Sequence, residues 1–182
     1  MTVDGGFTRL TTERLILRPF QAKDIDAFLA YRSDADVARY QGWELPYERW
    51  QAEALVSTMA TIDPGVPGRW YQFAVADRWT GELVGDTALH VDAEAPSRAE
   101  FGFTFAPAHR GKGYATEAVR ATIDYAFERL GVDVAVAFTD ARNALSIALL
   151  TRIGMTHTST ERIEFKGESC DELGFELRRD SR

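Results

Sequence analysis

Residues 105–117 read FAPAHRGKGYATE, and this stretch decides how the rest of the chain is read. Upstream of it, Phe101, Phe103 and Phe105 share one side of a strand pattern over Arg98 to Phe105. Downstream, Ala115 to Leu130 is helical in period. Ala115, Ala118, Val119, Thr122, Ile123, Ala126, Phe127 and Leu130 form one stripe, while Glu117, Arg120, Asp124 and Glu128 face away. Gly131 ends the helix. Between strand and helix, Gly111 and Gly113 let the backbone bend closely around a ligand. Successive N–H groups there converge at the positive end of a helix dipole, which suits a phosphate or pyrophosphate. Arg110 and Lys112 add local positive charge, and Glu117 opposes it unless the polar face carries it outward. A tight turn with two solvated cations fits the same residues. A P-loop is excluded, because G-x-x-x-x-G-K-S/T is missing. A dinucleotide fingerprint fails as well. Thr116 stands where a third small residue belongs, and Asp133 opens the next strand instead of closing it.

On either side, strand and helix patterns alternate. Thr12 to Phe20 reads as a strand stopped by Pro19. Ala22 to Arg32, Asp34 to Tyr40 and Pro46 to Thr61 read as helices. Trp70 to Asp77 and Glu82 to Val91 form a hairpin through Thr80-Gly81. Val132 to Thr139 is nearly all apolar, as in a strand buried on both faces. Ala144 to Ile153 is a helix ended by Gly154, and Met155 to Thr160 and Glu172 to Arg178 are strands around the turn Lys166-Gly167. The order β-α-α-α-β-β-β-α-β-α-β-β predicts a mixed α/β fold. One domain is expected over residues 8–180, after a flexible stretch over 1–7.

The 182 residues fit one domain of roughly 100–200. A hydrophobic share of 45% with 27% charged residues excludes a disordered chain. With 21 Lys+Arg against 28 Asp+Glu, the net charge is −7. No basic patch stands out, so the chain is poorly matched to nucleic acid or an anionic membrane and better matched to a cationic partner. One cysteine, Cys170, excludes a disulfide framework and a multi-cysteine zinc site. His90, His109 and His157 are far apart, and no metal is expected. Met1 to Gly6 has no apolar run, and no stretch approaches the roughly 18 apolar residues of a membrane span. The expectation is a cytoplasmic protein without a signal peptide. Gly167 to Asp171 lacks the second glycine of G-x-S-x-G, which leaves a serine hydrolase unsupported.

Arg110-Gly111-Lys112-Gly113-Tyr114-Ala115 fits the Gln/Arg-x-x-G-x-Gly/Ala signature of the GNAT superfamily of N-acetyltransferases, and the chain resembles that family elsewhere. Thr12 to Arg18 resembles the opening strand of the branch that acetylates ribosomal-protein N-termini and related amines. Ala99 to Phe103 resembles the central strand. Asn143-Ala144-Leu145-Ser146 followed by Ile153-Gly154-Met155 resembles the late helix, with Met155 where Phe is usual. The likeness covers about residues 12 to 178.

The resemblance implies a mostly antiparallel sheet of six or seven strands, splayed between the fourth and fifth and flanked by helices. It implies acetyl-CoA as cofactor. The pyrophosphate would lie on Gly111, Lys112, Gly113, Tyr114, Ala115 and Thr116, with Arg110 beside it. The pantetheine arm would pair with Phe103, Thr104 and Phe105. Glu100 is the candidate base and Ser146 the candidate acid, because Leu150 stands where many relatives carry a catalytic Tyr. Asn143 fits both cofactor contact and a helix N-cap. Trp43, Tyr47, Trp50 and Trp70, with carboxylates over residues 161–172, would suit a cationic amine. Trp43 and Trp50 also fit plain packing. The implied partner is an amine, on a protein N-terminus or a small molecule, and the implied assembly is a monomer or homodimer. A catalytically silent acyl-CoA-binding module is the alternative.

Overall fold

The structure, a computed structural model, describes residues 7–181. Its strands are β1 (Leu10–Thr11), β2 (Leu15–Arg18), β3 (Trp70–Asp77), β4 (Leu83–Val91), β5 (Arg98–Phe105), β6 (Val134–Asp140), β7 (Thr156–Phe165) and β8 (Glu168–Arg178). Its helices are α1 (Ile25–Arg32), α2 (Ala35–Ala38), α3 (Arg49–Met59), α4 (Tyr114–Arg129) and α5 (Ala144–Arg152). The strands form one sheet in the order β1-β2-β3-β4-β5-β6-β8-β7. Every neighbouring pair is antiparallel except β5 and β6. Those two run parallel, and only Arg98, Ala99 and Glu100 find partners, in Val134, Ala135 and Val136. Beyond Glu100 the strands part, at the expected place.

The count of six or seven strands is corrected to eight. The expected strand from Thr12 is a hairpin, with Leu10 opposite Leu17 and Thr11 opposite Ile16. Thr12 makes the corner: its N–H donates to the Leu15 carbonyl, and its Oγ1 accepts from the Leu15 N–H, both at 3.0 Å. The last hairpin is longer than its apolar residues indicate. It closes directly on Lys166-Gly167, because β7 is a largely exposed edge strand whose polar residues hide the period. The three early helices are shorter than expected. A single 3-10 turn, Ala22–Asp24, precedes α1, and there buried Asp24 accepts from Arg18 at 2.6 and 2.8 Å. The Asp34 carboxylate caps α2 by accepting from the Asp36 and Val37 amides. Phe7, expected to be flexible, is held. Its N–H donates to Asp63, and its ring meets Tyr71, Phe73 and Tyr125 edge-on. Residues 1–6 of that stretch lie outside the described residues.

The two faces are fixed by neighbours in β4. Thr87 shares a 2.8 Å hydrogen bond with Thr122 of α4, so α4 covers one face. Asp86 points the other way and accepts from the Tyr31 hydroxyl of α1 at 2.6 Å. Leu15, Leu17, Tyr71, Phe73, Leu89 and Ile123 are fully buried between these layers. Each such Leu, Phe or Ile contributes roughly 1.5–3 kcal/mol. Asp86 is buried too. Burial pushes its pKa up, and Arg32 and the Tyr31 hydroxyl hold it back. Removing one partner of such a buried pair costs roughly 3–5 kcal/mol, so this contact fastens α1 to the sheet.

Candidate active site

A cleft of about 900 Å³ runs past the N-terminal end of α4. Phe103, Thr104 and Phe105 of β5 form one wall. Arg110, Gly111 and Gly113 of the loop continue it, followed by Tyr114, Ala115 and Thr116 of the first helical turn. Asn143 and Ser146 of α5 close the opposite side. The far end is lined by Asp36, Val37, Tyr40 and Gln41, in and just after α2, on the segment that continues from α1. The cleft thus joins the α4 side of the sheet to the α1 side through the gap between β5 and β6.

The loop is built for close approach of an anion. Gly111 and Gly113 have φ of +74° and +81°, where a side chain is strained whatever the space. Gly113 is the N-cap of α4 and offers no capping side chain. Asn143 does cap α5, accepting from the Ser146 N–H at 3.2 Å. The first amides of α4 are left to a ligand. Lys112 contributes through its backbone carbonyl, which accepts from Arg14 at 2.8 Å, and its side chain is not on the cleft wall.

Glu117 does not point outward as its polar helix face implied. It turns back and accepts from the Thr12 hydroxyl, the Arg14 N–H and the Arg14 guanidinium at 2.6, 2.8 and 2.7 Å. Burial raises its pKa, but these hydrogen bonds outweigh that and hold it below the usual carboxylate range. Its charge is met by Arg14, which also lies over the Tyr114 ring at 4.9 Å. Sequence reading missed Arg14 in this role. Only the packing of the β1–β2 hairpin against α4 brings it to the loop.

Glu100 is the last β5 residue with a partner in β6, so it stands at the apex of the gap. Alternation from Thr87 opposite Phe103 places it on the face away from α4. It is half-buried and not on the cleft wall. Burial raises its pKa first, His90 and Arg98 pull it down, and repulsion from Glu172 adds to the rise. Ser146 is buried on the cleft wall, and Leu150 is buried in α5.

The site thus sits on a parallel βαβ unit whose strands separate after three pairs, over a glycine loop opening a helix. A family model for an acetyltransferase (GNAT) domain matches residues 14–156. The chain belongs to the GNAT acetyltransferases. It is 36% identical over 151 residues to an uncharacterized N-acetyltransferase, YoaA, of Bacillus subtilis, covering 81% of this chain and 82% of that one. It is 28% identical over 140 residues to spermidine N(1)-acetyltransferase of Escherichia coli, covering 77% and 72%. A GNAT-family acetyltransferase from Bacillus anthracis superposes with a TM-score of 0.80 at 27% identity, covering 95% of this chain and 99% of that one.

The acetyltransferase keeps Trp43, Tyr47, Trp50 and Trp70 off the cleft wall, and of the early aromatics Tyr40 lines it. Trp43 lies 3.7 Å from the Arg32 guanidinium and donates its indole N–H to the Arg32 carbonyl at 2.9 Å. Tyr47 is buried edge-on to Phe28 and Trp43. Trp50 is 67% exposed at the start of α3. Trp70 tilts over His90. The sequence reading passed over Phe138. It is 43% exposed on β6, two residues beyond Val136, on the same face as Glu100 and in the part of β6 that has left β5. Phe138 pairs with Gly174, whose missing side chain leaves room for the ring: a Cβ there would stand 3.3 Å from it. Glu172, next along that face of β8, is raised by burial and by Glu161. Inside an apolar run, Phe138 carried no signal of being exposed.

Proposed function

We propose that this acetyltransferase transfers an acetyl group from acetyl-CoA to the primary amine of a cationic small molecule, by direct attack across the gap between β5 and β6. The observation that carries this reading is the cleft itself. It has the glycine loop at one end, the β5 edge that has left β6 along its wall, and the 36–41 segment at its far end, on the face that carries Glu100, Phe138 and Glu172. The residues present fit the cofactor. The amides of Gly111 to Thr116 would hold its pyrophosphate with Arg110 alongside, and Arg14 neutralises the one carboxylate in that turn. The β5 edge from Phe103 to Phe105 would receive the pantetheine arm, and a backbone N–H there would be available to an oxygen that gains negative charge. Acetyl-CoA, when bound, supplies the activated acyl group.

Glu100 takes the proton of the amine, directly or through water. Its raised pKa makes it a stronger base than an exposed glutamate. Help of this kind is worth roughly 10²–10⁴-fold. It matters most for an alkylamine: neutralising a pKa near 10.4 at pH 7 costs about 4.6 kcal/mol, against about 1–1.4 for an α-amine near 7.7–8.0. Ser146 stands to protonate the departing thiolate. Asn143 holds the backbone at Ser146 through the N-cap bond and lines the same cleft. Phe138 and the carboxylates of Glu100 and Glu172 receive further positive charge on the acceptor. The relative that acts on spermidine supports this choice. The resemblance of Thr12 to Arg18 to the ribosomal-protein branch favours a second acceptor, a protein N-terminal amine. CoA release from acetyl-CoA, measured over diamines, polyamines, amino sugars and N-terminal peptides, tests the reading. Turnover confined to polycationic small molecules is expected. Turnover confined to peptides would move the acceptor to the second class, and binding of acetyl-CoA without acetylation of any amine would overturn the function.

A further inference from the structure

The last hairpin reaches across the gap. β8 runs antiparallel to β6, so the β7–β8 turn lies at the end where β6 has left β5. There the Lys166 ammonium donates to the carbonyls of Ala38 at 2.9 Å and Trp43 at 2.6 Å. Between those carbonyls lies Gln41, which lines the cleft and donates its side-chain amide to the Phe103 carbonyl of β5 at 3.4 Å. The path closes on itself: β5, apex, β6, β8, Lys166, the 38–43 segment, Gln41, and back to β5. Lys166 also sits in an unfavourable backbone state. It is the non-glycine residue with positive φ among the described residues, at +51°, in a two-residue turn that usually takes Asn, Asp or Gly there. A lysine in that place points to work done by its side chain.

We propose that Lys166 is a specificity-determining latch, which turns the open gap into a closed ring and admits only amines carried on a slender chain. This rests on the proposed amine transfer at the same gap. Acceptors with branched or bulky surroundings need the ring open, whereas the loop amides proposed for the cofactor lie at the start of α4, and Lys166 is not among the residues that line the cleft.

The test compares wild type, Lys166→Met and Lys166→Arg. The readouts are kcat/KM for a linear diamine and for an amine on a branched or ring-bearing carbon, CoA affinity, and amide exchange over residues 38–43. In Lys166→Met, the bulky-to-linear ratio of kcat/KM should rise about tenfold and residues 38–43 should exchange faster, with CoA affinity unchanged. Lys166→Arg should restore both. An unchanged ratio overturns the latch, as does an equal loss for both amines. If wild type acetylates no amine, the parent reading fails by itself. Exchange then decides the latch, and unchanged protection of residues 38–43 would refute it.

Discussion

The proposed cofactor side of the cleft and the proposed acceptor side are built from different kinds of information. On the cofactor side, backbone does the work: two glycines with positive φ, an uncapped helix start and a strand edge that β6 leaves beyond Glu100. Such features need particular residues at particular spacings. On the acceptor side, side chains do the work, and their positions depend on which aromatics the core has already used. Trp43 and Tyr47 pack around Arg32, while Phe138 stays 43% exposed opposite Gly174. Spacing therefore announces backbone sites, and aromatic content announces burial at least as often as binding.

The largest expected effect breaks the acceptor side. Glu100→Gln should lower kcat/KM roughly 10²-fold while leaving CoA affinity intact. In wild type, the rate should fall as pH drops through a value above the ordinary glutamate range, and this limb should vanish in the variant. The stability effect has the opposite sign. A folded pKa raised above the unfolded one makes stability fall as pH rises between the two values. Glu100→Gln should therefore raise the melting temperature at pH 7 relative to wild type and not at pH 3. A calorimetric series over that range checks it.

On the cofactor side, Gly113→Val should weaken CoA binding about tenfold or more by titration calorimetry. A non-glycine residue in the left-handed region costs roughly 1–2 kcal/mol, and about 1.4 kcal/mol is a factor of ten. The new Cβ would also meet the Arg14 guanidinium at 3.2 Å. A third pair separates packing from binding among the aromatics. Trp43→Ala should cost roughly 2–3 kcal/mol in denaturant unfolding through the lost contact with Arg32. Trp50→Ala should stay within about 0.5 kcal/mol and leave kinetics unchanged. The smallest effect lies at the far end of β6. Hydrogen bonds from Arg142 outweigh burial and hold Asp140 at about 2. That contribution is present above the unfolded pKa, near 3.9, and is lost as pH falls toward the folded value. Arg142→Gln should lower stability slightly at pH 8, and its difference from wild type should shrink to nothing as pH falls toward 2, as followed by denaturant unfolding across that range.

The strands β3 and β5 and the helix α4 were legible because their residues alternate or recur without interruption. The β1–β2 hairpin was not, since its turn is made by a Thr12 side chain inside a sequence that alternates straight through it. The glycine loop could be read from spacing alone. Glu117 could not: a helical wheel shows which way a residue leaves its own axis, not which hairpin will pack against it. Lys166 was read as part of a polar turn, because its partners lie 128 and 123 residues away along the chain.

The three pairs between β5 and β6 carry a consequence for how the molecule is put together. Strands β1 to β5 form one up-and-down ribbon, and β6, β8 and β7 form a second. α4 is the crossover that delivers the second to the first. The gap is then not an opening cut into a finished sheet. It is the seam between two ribbons, wide wherever the crossover does not bring them together. The far ribbon can lengthen, shorten or trade its turn residues while the glycine loop and its strand stay as they are. One end of such a protein can change its acceptor while the other keeps the same cofactor.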